Sequence, residues 1–213
     1  MAETMTLQEA GEAVPGWTAM GRALHLTVAT EDFTSALALV DRVGAIAEEQ
    51  QHHPDIDLRW GRVHVVTWSH DVRGVSDRDV MLARAVNEVL DEMGLSAEVS
   101  RVSLLELAID AMDISAVRPF WVAVLGYDES GSDLVDPESV RPLVWFQQMD
   151  EARPQRNRIH VDVWVAPDEA EARMARAIEA GGRLLSDAEA PSFWVLADPE
   201  GNEACVCTSQ QRD

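Results

Sequence analysis

Apolar positions along the chain change period several times, and each change marks an element. From Thr6 to Ala13 a short polar-apolar stretch predicts a helix that Pro15-Gly16 ends. Positions 23–29 then alternate in the manner of a half-buried strand. Asp32 is placed to cap a helix in which Phe33, Leu37, Val40, Val43 and Ala47 recur at three to four residues, running to about Gln51. Positions 56–60 and 63–68 flank Gly61-Arg62 and predict a two-stranded hairpin. Ser76 opens a further helix, with Asp79 at its third position as in a capping box. Val80, Ala83, Val86, Val89 and Leu90 form that helix's apolar face, and Gly94 closes it.

These elements are joined by short connections, which favour antiparallel pairing and an α+β layer of helices on one face of a sheet. A boundary is expected between Ser96 and Ser100, dividing the chain into domains at 1–97 and 101–213. The second half restarts with a strand at 104–109, a helix at 114–125 and a strand at 143–146. A strand at 159–165, a helix at 168–180 closed by Gly181-Gly182, and strands near 183–185 and 193–196 follow. This is an internal repeat of about 55 residues, each copy a strand and a helix followed by strands.

Composition narrows the function classes. Against 38 Asp+Glu stand 17 basic residues, all Arg, for a net charge of −21 across 213 residues. Nucleic-acid backbones and anionic membrane surfaces both need a basic face, so neither is an expected partner. Cys205 and Cys207 are the only cysteines, which excludes a disulfide framework. Glu3, Glu9 and Glu12 stand where a signal peptide needs a basic start, and no apolar run approaches membrane-spanning length. A soluble protein of a reducing cytoplasm is expected.

Chemistry concentrates in the first half. Glu48 is followed by His52-His53-Pro54, Trp60, His70 and Asp79, a set that takes three of the six histidines. His52 and His53 lie where a helix gives way to Pro54, and a non-helical backbone there can aim two imidazoles differently. Imidazole titrates near neutrality, so such a cluster can supply one acid and one base, as an elimination of water requires. Metal ligation is the competing chemistry.

The spacing of Glu48, His52-His53-Pro54, Trp60, His70 and Asp79 resembles the signature of the pterin-4a-carbinolamine dehydratases. Gly16-Trp17, Glu31-Asp32-Phe33, Val63-His64-Val65 and positions 74–79 fit the same pattern. Gln51 departs from it, standing where many members carry an acidic residue. The resemblance implies a four-stranded antiparallel sheet with helices on one face. It also implies dehydration of 4a-hydroxytetrahydropterins to quinonoid dihydropterins without a cofactor, and a homo-oligomer, dimer or tetramer. By position, His53 and His70 would serve the leaving hydroxyl, and His52 would bind the ring and assist proton transfer. Glu48 and Asp79 would orient imidazoles, while Trp60 and Trp17 could wall the flat ring. A regulatory module that dimerises with a partner is the alternative.

In the second half, Asp113 followed by Phe120-Trp121 and Leu125-Gly126-Tyr127, with Asp198-Pro199-Glu200-Gly201-Asn202-Glu203 near the end, resembles the vicinal oxygen chelate, or glyoxalase-like, superfamily. That implies paired βαβββ modules around a cavity, commonly with a divalent metal. Glu106 and His160 match two ligand slots, and Cys205, with Glu203 two residues before it, stands at a third. A metal-dependent glyoxalase- or dioxygenase-like activity in this half is a further expectation.

Overall fold

The computed structural model describes residues 4–102, 105–152, 160–165, 167–208 and 210–211. Of the positions read above, Glu3 and the expected strand residues Leu104 and Ile159 lie outside them. The chain divides into two compact units, Met1–Leu104 and Leu105–Asp213.

The first unit begins with α1 (Leu7–Ala13), capped by Thr6 and Glu9 in a reciprocal capping box. Strands β1 (Thr18–Met20), β2 (Ala23–Ala29), β3 (Asp55–Arg59) and β4 (Arg62–Thr67) form one antiparallel sheet in the order β1-β2-β4-β3. Helices α2 (Phe33–Gln50) and α3 (Asp77–Met93) cover one face. Period two decides which face: Leu24, Leu26, Val28, Val63 and Val65 point to the helices and are fully buried with Leu39, Val43, Leu82 and Val86. Past β1 the free edge of β2 is taken up by the segment after α3, where the Glu98 amide donates to the Thr27 carbonyl at 2.7 Å. The first unit therefore extends through a 3₁₀ turn at Val99–Arg101.

The second unit contains two βαβββ modules. One runs β5 (Glu106–Ala111), α4 (Ile114–Leu125), β6 (Asp128–Ser130), β7 (Asp133–Val135) and β8 (Leu143–Gln148). The other runs β9 (Val161–Trp164), α5 (Ala170–Glu179), β10 (Arg183–Ser186), β11 (Phe193–Ala197) and β12 (Glu203–Cys207). In each, the first strand lies beside the last in parallel and the middle two follow antiparallel, giving β5-β8-β7-β6 and β10-β11-β12-β9. Identical strand order in both halves is the structural form of the repeat. Among the described residues no helix is long and apolar enough to cross a membrane.

A shared core joins the modules, with Phe120, Val117 and Val124 from α4 and Ala177, Leu196, Ala204 and Val206 from the second module. The Asp198 to Asn202 turn ties them with polar bonds. Buried Asp198 accepts the Trp121 indole N–H at 3.0 Å and the backbone N–H groups of Glu200 and Asn202 at 2.9 and 2.8 Å. Glu200 in turn accepts the backbone N–H of Met112 at 2.8 Å and that of Asp113, at the start of α4. These motif residues are therefore a joint between modules.

Gly182 is the tightest point of that joint. A Cβ there would lie 2.3 Å from the Phe120 ring and 2.8 Å from the Ala177 carbonyl oxygen. Gly182→Ala should destabilise the second unit by about 1–3 kcal/mol through overpacking. A lowered urea midpoint for Gly182→Ala, largely restored by adding Phe120→Leu, would confirm the contact, whereas an unchanged midpoint would refute it.

Candidate active site

The site is assembled where three elements of the first unit end. Helix α2 stops at Gln51, whose backbone is left-handed (φ 50°, ψ 39°), and the His52 amide closes the end by donating to the Ala47 carbonyl at 3.1 Å. That reversal turns His52 inward, where it is 7% exposed. His53 faces out, with its side chain 57% exposed and its Nε2 3.3 Å from Glu48 Oε1. Pro54 then leads into β3. Adjacent histidines thus occupy opposite environments.

Beneath His52 lies Asp79, fully buried at the third position of α3. His52 Nε2 sits 2.7 Å from Asp79 Oδ1, which also accepts the Thr67 hydroxyl at 2.7 Å. Asp79 Oδ2 accepts the Ser69 hydroxyl at 2.7 Å and the Ser76 backbone N–H at 2.8 Å. Asp79 is therefore a helix cap and the partner of an imidazole at once. Because the Thr67 hydroxyl donates to the carboxylate, which can only accept, the facing imidazole nitrogen His52 Nε2 is itself a donor to Asp79. Burial pushes the Asp79 carboxyl up, but the bonds from His52, Thr67, Ser76 and Ser69 outweigh it and hold it below its ordinary value.

His52 also lines a cavity of about 560 Å³ between α2 and α3, with Ile46, Val89, Arg42, Arg78 and Glu92 among its walls. His70 begins the turn after Ser69, is exposed, and stacks on Trp68 with ring centroids 3.9 Å apart. His53 and His70 are not among that cavity's walls. Trp60 sits 78% exposed at the tip of the β3-β4 hairpin.

Trp17 corrects the expectation of a wall. It is 5% exposed within the core, and its indole N–H donates to Asn87 Oδ1 at 3.0 Å, so it presents no face to a ligand. Thr67, Ser69 and Trp68 were missed by sequence reasoning. The signal was present: Thr67 and Ser69 continue the inward phase of Val63 and Val65, so two hydroxyls point where a buried carboxylate needs donors.

In the second unit, ligand-type atoms of His160, Asp162 and Cys205 lie within 4.8 Å of one another. His160 Nε2 is 3.2 Å from Asp162 Oδ1. Burial, with Asp162 beside it, pushes the Cys205 thiol up to about 11. Glu106 and Glu203 stand outside this group. Glu106 is on β5 in the other sheet, paired with Leu143, and Glu203 is two residues back along β12. Asp162 is not among the expected ligands because its place beside Cys205 depends on the register of β9 against β12, which no local pattern states.

With this geometry in view, the comparisons with known proteins separate the two units. Residues 2–89 match the family model for pterin 4 alpha carbinolamine dehydratase, and residues 106–207 match that for a glyoxalase-like domain. A protein of Thermomicrobium roseum, provisionally named a pterin-4-alpha-carbinolamine dehydratase, is 42% identical over 78 residues, covering 37% of this chain and 84% of its own. A transcriptional coactivator/pterin dehydratase from Brucella melitensis is 29% identical, over 41% of this chain and 98% of its own, with a TM-score of 0.39. A fosfomycin resistance protein from Listeria monocytogenes, complexed with Mn(II) and sulfate, is 10% identical over 51% of this chain and 91% of its own, with a TM-score of 0.42. The chain belongs to the pterin 4 alpha carbinolamine dehydratase family through its first unit and carries a glyoxalase-like domain as its second.

The depressed Asp79 pKa makes its contribution pH-dependent in a defined direction. A carboxyl held below its unfolded value of about 3.9 stabilises the fold above that pH, and the benefit is lost as pH falls through the folded value. Asp79→Asn should therefore cost about 1–3 kcal/mol at pH 7. The gap from wild type should narrow below about pH 4. Urea melts at both pH values check this, and a gap that stays constant would contradict it.

Proposed function

We propose that the first unit eliminates water from 4a-hydroxytetrahydropterins to give quinonoid dihydropterins, using its histidines as acid and base. One observation carries the reading: His52 is locked by a buried carboxylate while His53, the next residue, is open and has its own carboxylate partner. His70 follows Ser69, a donor to that buried carboxylate, and His53 follows His52, so each of the two exposed histidines is the chain neighbour of a residue bonded to Asp79. In the reaction the C–O bond at the ring junction breaks, a ring nitrogen supplies the electrons for a new C=N bond, and a ring N–H proton is lost. His53 and His70 serve the departing hydroxyl, which leaves as water. His52, with Nε2 held by Asp79, binds the ring and moves a proton at Nδ1. Glu48 orients His53, and Trp60 offers an exposed apolar face to the ring. None of these steps calls on a cofactor.

A homo-oligomer, dimer or tetramer, belongs to the same reading. Phe33 and Leu37, 47% and 44% exposed one turn apart on α2, support it. Cys205 and Cys207, which are not joined in a disulfide, suit a reducing cytoplasm. The second unit is read as an accessory ligand-binding domain, and its imidazole, carboxylate and thiol group favours a metal there as the next alternative.

The test is a stopped-flow assay with a chemically generated 4a-hydroxytetrahydropterin. His53→Ala and His70→Ala should each lower the rate by about 10²–10⁴-fold, the usual worth of a positioned acid or base. Chelator should leave it unchanged. Both side chains are exposed, so the variants should fold, and full activity in both would overturn the assignment.

A further inference from the structure

Strand register gathers cations on the open face of the first sheet, the face turned away from α2 and α3. Thr27, His64 and Asp57 stand in one row across β2, β4 and β3, and Ala29, Arg62 and Arg59 stand in the next. Residues opposite one another share a face, as do residues two apart on a strand, so all six point the same way. Arg101, from the 3₁₀ turn after α3, joins them, and an open cavity of about 490 Å³ lies among Thr27, Asp57, Arg59, Arg62, His64 and Arg101. All of these residues belong to the first unit.

The electrostatics of this face call for an anion. Arg59 and Arg62 are a directly opposed cross-strand pair, and like charges so placed destabilise a sheet. Arg101 adds a third guanidinium, in a chain that holds only 17 basic residues against 38 acids. Neighbouring carboxylates offset part of the charge. Asp57 accepts Arg59 Nε and Nη2 at 2.8 and 2.9 Å. Glu98 Oε2 lies 3.3 Å from Arg101 Nε and 4.0 Å from Arg62 Nε, without a hydrogen bond to either. Three guanidiniums against two carboxylates leave one positive charge over. Arg62 Nε is buried and has no hydrogen-bond partner among the described residues, and an unmade bond from a charged donor is the costly kind. Ion pairing within the face therefore leaves both a charge and a donor unanswered.

Geometry narrows the anion. One guanidinium fork suffices for a planar carboxylate, whereas forks arriving from β3, β4 and the turn suit the three acceptor oxygens of a phosphate group. Thr27 Oγ1 is bonded to His64 Nδ1 at 2.9 Å, which fixes a polar floor beside them. A net charge of −21 repels polyanions and favours a small ligand. The cavity is of small-molecule size and exceeds what bare phosphate fills. We infer that Arg59, Arg62 and Arg101 bind the phosphate group of a small phosphomonoester on the open face of the first sheet. Thr67, the β4 residue bonded to Asp79, points to the opposite face, so the inference does not rest on the dehydratase reading.

The full chain is titrated by calorimetry with inorganic phosphate and with phenyl phosphate, at matched ionic strength in sodium chloride. The expected result is one saturable site per chain, with phenyl phosphate the tighter ligand. Arg59→Gln, Arg62→Gln and Arg101→Gln should each weaken phenyl phosphate binding by about tenfold or more, the usual worth of a hydrogen bond to a charged group. Arg59 and Arg101 are exposed, so their variants should fold whatever Arg62→Gln does. Arg84→Gln, which removes the same charge from an exposed position on α3, should bind as wild type. Absence of a saturable site, unchanged affinity in the three arginine variants, or an equal loss in Arg84→Gln would each overturn the site. Inorganic phosphate binding as tightly as phenyl phosphate would overturn the ester and assign free phosphate in its place.

Discussion

A carboxylate removed from water must be surrounded by donors, and in the first unit that requirement falls on Asp79. Its two oxygens take up bonds from the end of α2 through His52, from β4 and the residues just after it through Thr67 and Ser69, and from the start of α3 through the Ser76 amide. Three segments distant in sequence are brought to one point by a single charge. The same bonds fix the tautomer of the imidazole. Fold and chemistry share their donors here, so a change that loosens one disturbs the other.

The second unit solves a similar problem at its joint. Asp198 is also fully buried, and it gathers an indole N–H from one module and backbone amides from its own turn. Around it the packing is apolar and close enough that Phe120 leaves Gly182 no room for a side chain. Duplicated modules need such a fastening because, among the described residues, each sheet is accompanied by a single α-helix, α4 or α5. The motif at 198–202 therefore describes how two copies are held together, and chemistry has to be sought on the opposite faces of the sheets.

Much of this was legible in the sequence because the signals were local. Asp32, Ser76 with Asp79, and Gly94 mark helix ends by their own hydrogen bonds, and the structure places caps at each. Strands β1, β6 and β7 were not foreseen, since three residues leave no room for an alternating pattern and pairing alone defines them. At the site, residue types were readable but environments were not. Nothing in His52-His53 says which ring is buried; the left-handed turn at Gln51 decides it. Trp17 could pass for a ligand wall because its partner, Asn87, is seventy residues away. Asp162 escaped because its meaning depends on the register between β9 and β12.

That register has a consequence for the molecule in a crowded solution. β5 and β9 are the terminal strands of their sheets, and a terminal strand is a template on which another chain can add. Both are short and mostly apolar, yet β5 carries Glu106 and Asp110 and β9 carries Asp162. A second copy approaching either edge would bring its own acids against these in desolvated contact. The acidic residues scattered through otherwise apolar strands therefore act as a guard against fibrous association, which the chain's large negative charge reinforces at longer range.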